Sequence, residues 1–87
     1  GENTAVHLRC EDRMAGVMID RFGKEVSIIP GKDGYFDLYT EVAMSDQFLG
    51  WLISLGEGVT LEGPESARQK LGEIGQALEK YYLHQEN

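Results

Sequence analysis

The chain has 87 residues, 41% hydrophobic and 26% charged, which sets aside disorder for its body and allows one modest core. A net charge of −7 argues against its grasping duplex DNA unaided, because phosphate binding needs clustered Lys and Arg. The single cysteine, Cys10, excludes an intramolecular disulfide and a cysteine-built metal site and points to a reducing, cytoplasmic compartment. No apolar run approaches the ~20 residues of a membrane span.

The polar start Gly1-Glu2-Asn3-Thr4 reads as a disordered or boundary segment, 1–4, before a single domain over 5–83 and a fraying tail over 84–87. Val6 to Cys10 alternates apolar and polar residues, the period of a half-buried strand, with His7 and Arg9 facing away from the core. Glu11 and Asp12 suit the positive start of a helix, and Met14, Val17, Met18 and Phe22 recur at helical spacing. One helix is expected over Asp12–Phe22, with Gly16 its weak point and Gly23 its stop.

Val26 to Ile29 is a short β-branched strand that Pro30 ends or marks as an edge. Gly31-Lys32-Asp33-Gly34 is a turn, and Tyr35 to Val42 alternates again, so a hairpin is expected. Phe36, Leu38, Thr40 and Val42 share one face of it, and Tyr35, Asp37, Tyr39 and Glu41 the other.

Ser45 has the chemistry of an N-cap for a helix over Asp46–Leu55, anchored on the core by Phe48, Trp51, Leu52 and Leu55 and ended by Gly56. Val59 to Glu62 is a fourth strand. Pro64 at a first helical position and Glu65 near it open a last helix with an apolar stripe of Leu71, Ile74, Leu78, Tyr81 and Tyr82. Leu71 and Leu78 are expected as core anchors, Tyr81 and Tyr82 as helix anchors, and Gly72 and Gly75 as places of close packing.

The order β-α-β-β-α-β plus a C-terminal helix is that of a split βαβ arrangement. The expected fold is α+β: a ferredoxin-like four-stranded antiparallel sheet with helices on one face.

Chemistry is sparse. His7 and His84 lie far apart and lack local metal-ligand partners. Positions 7 and 10 of one strand point to opposite faces, so His7 cannot activate Cys10, which reads as a small buried apolar residue. Ser54 and Ser66 have no neighbouring His. Glu62 and Glu65 read as helix-start electrostatics rather than a catalytic carboxylate pair. No catalytic residue, metal site or cofactor is expected, and Met14, Met18 and Met44 read as core filling.

Binding surfaces are better represented. The sheet face away from the helices should carry His7, Arg9, Tyr35 and Tyr39, a mixture able to stack bases and meet phosphate. Asp37 and Glu41 on the same face would repel phosphate, and the simpler reading is that the C-terminal helix, a second subunit or another domain covers it. Four of the eight basic residues lie between Arg9 and Lys24, and Arg9, Arg13 and Arg21 would form an anion site if they converge. The simpler reading for them is a solvated helix surface.

The run FLGWLISLGEGVTLEGPE, residues 48–65, resembles the C-terminal extension (WCX) domain of WYL-domain bacterial transcription regulators. The resemblance rests on Phe48, Trp51, Leu55-Gly56, Val59-Thr60-Leu61, Pro64-Glu65 and a Tyr at 81 or 82. VHLRC resembles the family's opening strand, VMIDRFG its first-helix end, and GKDGYFDLYTEV its Asp-Gly hairpin and long third strand. It covers the chain from about Ala5 to Tyr82 and implies a ferredoxin-like fold.

By that resemblance the domain is a non-catalytic accessory part of a regulator, contributing to dimer assembly and effector sensing. The implied partners are a WYL domain and an N-terminal helix-turn-helix of the same chain, a second copy in a homodimer, and an effector that in some members is a nucleic acid, with no membrane. Arg21 matches the family's arginine near the end of the first helix. The other reading is a stand-alone small-molecule binding module on a ferredoxin-like scaffold.

Overall fold

A computed structural model describes residues 3–83 of the chain. The elements are β1 (Asn3–Glu11), a 3-10 turn (Asp12–Met14), α1 (Ala15–Phe22), β2 (Ser27–Pro30), β3 (Tyr35–Ala43), α2 (Asp46–Ser54), a second 3-10 turn (Gly56–Gly58), β4 (Val59–Gly63) and α3 (Glu65–Leu83). The sheet order is β2-β3-β1-β4 and every pairing is antiparallel. This is the ferredoxin-like α+β architecture expected from the element order, with the added C-terminal helix.

β1 and β3 form the centre of the sheet, in register from Asn3 opposite Ala43 to Glu11 opposite Tyr35. Asn3 and Thr4 therefore belong to β1 rather than to a boundary segment: they pair with Ala43 and Val42. The 84–87 tail, with His84, lies outside the described residues, as do residues 1 and 2.

The expected first helix is divided. Asp12 N–H donates to the Gly34 carbonyl at 2.9 Å, which ties the helix entry to the β2–β3 loop, and a tight 3-10 turn precedes α1. Gly23, with φ 92°, closes α1 and donates to Ile19 O at 2.8 Å. Val26 N–H turns back to Gly23 O at 3.3 Å, so β2 starts one residue later than its β-branched run. The hairpin loop places Asp33 and Gly34 at φ 63° and 83°, left-handed conformations that Asp tolerates and Gly adopts freely.

Ser45 caps α2, its Oγ accepting from Phe48 N–H at 3.2 Å. That helix lays Phe48, Leu49 and Leu52 onto the sheet. Val6, Leu8 and Cys10 of β1, Phe36 and Leu38 of β3, Val59 and Leu61 of β4, and Met14 and Met18 complete one core. Trp51, Leu55, Leu71 and Met44 pack around it, half-buried. All of it lies on one side of the sheet, and among the described residues no helix lies on the other.

α3 departs from expectation. Its 19 residues extend ~28 Å, whereas the five residues of β4 beside it extend ~17 Å. The helix overshoots. Ala67 is buried and Leu71 and Ile74 are half-buried, but Leu78 is 44% exposed, Tyr81 60% and Tyr82 78%. Leu78 is therefore not a core anchor of this domain, nor are Tyr81 and Tyr82 anchors on its sheet. A Cβ at Gly72 or Gly75 would meet nothing within 4 Å, so neither glycine serves close packing here.

Candidate functional site

Strand alternation sends His7 and Arg9 of β1 and Tyr35, Asp37 and Tyr39 of β3 to the helix-free face, and the register decides who meets whom. His7 lies opposite Tyr39, and their rings stack at 4.4 Å between centroids and 15° between planes. His7 Nε2 is 2.7 Å from Asp37 Oδ1, a diagonal contact across the same two strands. Farther along, the Arg9 guanidinium lies over the Tyr35 ring at 4.0 Å, a cation–π contact. α3 does not cover this face: Arg9, Thr60 and Ile29 are exposed.

At the other end of the face a hollow of about 490 Å³ opens over Ala5, rimmed by His7, Tyr39, Glu41, Gly63 and Pro64. Ala5 and Gly63 leave it open: Ala5 carries a single methyl beside His7, Tyr39 and Glu41, and a Cβ at Gly63 would meet nothing within 4 Å. Ala5 faces Glu41 across the strands, and a shift of register between β1 and β4 at His7–Leu8 brings Gly63 opposite His7.

The three candidate arginines do not converge. Arg9 is on the open face. Arg21 lies on the helix side, its guanidinium 4.6 Å from the Trp51 ring, which Phe22 meets edge-on at 5.6 Å. Arg13 sits at the turn after β1, where its Nε donates to Glu11 Oε1 at 2.6 Å. Its guanidinium also shields Gly58: a Cβ there would come within 2.9 Å of Arg13 Nη2 and 3.0 Å of Met14 Sδ. One anion site built from all three is thus not formed within the domain.

Cys10 is fully buried, and burial, with a smaller contribution from the Asp37 charge, pushes its thiol up to about 11. It stays protonated at neutral pH and is a poor nucleophile. Among the described residues, no group of three or more His, Cys, Asp or Glu is placed to hold a metal ion. No described helix is long and apolar enough to cross a membrane.

Sequence reasoning placed Asp37 on the right face but missed it as the partner of His7, and missed Arg21 as the partner of Trp51. Both pairs join residues distant along the chain. The hollow did leave a signal: an Ala in the outward row of a strand whose neighbours are large.

The family model of the WCX domain matches residues 2–78. This chain belongs to the WCX domain family. No curated protein matches it. At the family level, a WCX domain is an accessory domain of WYL-type regulators, associated with a WYL domain in the same chain. The matched span includes every strand and both helices of the core, and it ends at Leu78 within α3.

Proposed function

We propose that this WCX domain is a non-catalytic C-terminal part of a cytoplasmic WYL-type transcription regulator, contributing to its dimer assembly and to effector sensing. The observation that supports assembly is the stripe on α3. Ala67, Leu71, Ile74, Leu78 and Tyr81 alternate steps of four and three, the spacing of a helix–helix seam. The first part of the seam is buried or half-buried against the domain, and the rest is bare. An apolar seam that continues past its own support gains free energy by meeting a second helix, and the α3 of a second copy supplies a matching one.

Sensing follows if an effector binds one domain arrangement more tightly than another, which biases the arrangement by that difference alone. A nucleic-acid effector would meet on the open face a single arginine, Arg9, and aromatic rings set among the carboxylates of Asp37 and Glu41. Most of its phosphate contacts must therefore come from other domains.

Sedimentation across a concentration series tests assembly. The wild-type chain is expected to form a dimer that strengthens with concentration, and Leu78→Glu to remain monomeric with unchanged circular dichroism. A wild-type chain that is monomeric at every concentration overturns the α3 seam. Deleting the domain from the full-length regulator tests the rest: an unchanged dimer and an unchanged effector response would refute the reading.

A further inference from the structure

The structure assigns a role to the hollow over Ala5: we propose that it binds a flat, amino-bearing heteroaromatic small molecule that carries no phosphate, of which a purine nucleoside is the simplest example. The proposal goes beyond the assembly reading and does not depend on it, because the hollow lies on the sheet face that α3 leaves bare.

Size and lining agree. The hollow is shallow and open to solvent; its volume of about 490 Å³ is enough for one flat small molecule lying against a mostly apolar floor with a few polar groups. The stacked rings of His7 and Tyr39 form one wall and Pro64 another. Aromatic walls favour flat ligands, through offset or edge contacts alike. The wall is also held in advance: His7 is fixed by its stack on Tyr39 and by Asp37 at 2.7 Å, so little ordering is left for binding to supply.

Charge selects among flat ligands. Glu41 is exposed at the rim and has no hydrogen-bond or ion-pair partner among the described residues. An ionised carboxylate only accepts hydrogen bonds, so it calls for a donor on the ligand, as an exocyclic amino group supplies. The arginine on this face, Arg9, is occupied at Tyr35 and does not line the hollow. A phosphate would therefore meet a carboxylate with no Lys or Arg beside it.

The test is an NMR titration of the ¹⁵N-labelled chain with adenosine, with AMP and a short single-stranded DNA as comparison arms. Adenosine is expected to give saturable shifts confined to Ala5, His7, Tyr39, Glu41, Gly63 and their neighbours. AMP is expected to bind roughly tenfold more weakly, a gap that salt narrows. Glu41→Gln should narrow the same gap, and Ala5→Leu, at an exposed position, should abolish the shifts while leaving the rest of the spectrum intact. No saturable shift with adenosine, unchanged binding by Ala5→Leu, or AMP or the DNA binding these residues as tightly as adenosine would each overturn the proposal. None of these outcomes alters the sedimentation result, so the two readings fail separately.

Discussion

His7 and Asp37 meet across the two central strands, Nε2 to Oδ1 at 2.7 Å, while the His7 ring stacks on Tyr39. The imidazole is thus held by two contacts of different kinds. Both partners of the polar contact are about one-third exposed, which limits its value to below ~1 kcal/mol. The stack adds ~0.5–1.5 kcal/mol. His7→Ala should therefore destabilise the domain more than Asp37→Ala, and urea unfolding of the two variants measures the difference. Equal losses would mean that the stack contributes nothing.

The Cys10 thiol gives a pH dependence with a definite sign. Burial raises it from 9.0 to about 11, so the folded state holds its proton where the unfolded chain has lost it. This contribution is fully present below pH 9 and disappears as pH rises towards about 11. Stability should fall across that interval by up to about 3 kcal/mol from this group alone. Cys10→Ala should flatten that part of the slope in denaturant titrations, whereas an identical slope in the variant would assign the effect to other groups.

Two leucines of similar chemistry should behave in opposite ways. Leu38 is fully buried in the middle of β3, and Leu38→Ala is expected to cost ~2–5 kcal/mol, a large part of what an 87-residue domain has. Leu78 is 44% exposed, and Leu78→Ala should change the unfolding of the monomer by less than ~0.5 kcal/mol. Thermal unfolding at a concentration low enough to prevent association separates them.

Glycines at Gly16 and Gly58 make a similar contrast. A Cβ at Gly16, inside α1, would meet nothing within 4 Å, so Gly16→Ala should stabilise the domain by up to ~1 kcal/mol through helix propensity. At Gly58 the new methyl would lie 3.0 Å from Sδ of buried Met14 and 2.9 Å from the Arg13 guanidinium. The arginine end can swing away, whereas buried Met14 must shift by a few tenths of an ångström within the packed core, so Gly58→Ala should cost ~1–3 kcal/mol. Differential scanning calorimetry of both variants reads the opposite signs. A Gly58→Ala midpoint at or above wild type would show that Met14 repacks freely.

Local chemistry alone accounted for most of the fold. The alternation of Val6, Leu8 and Cys10 and of Phe36 and Leu38 determined which side of each strand is buried, since the strand period of two leaves no other choice. Ser45, Gly23 and Gly56 ended or began helices where their conformational preferences required it. What the chain could not decide locally was register and reach. Whether His7 meets Asp37, or Arg21 meets Trp51, depends on how strands and helices distant in sequence slide against one another. The fate of Leu78 depends on the length of β4 beside it. The periodicity of α3 says only that one face is apolar. Where the supporting sheet ends, and with it the line between core and bare seam, is set by tertiary packing.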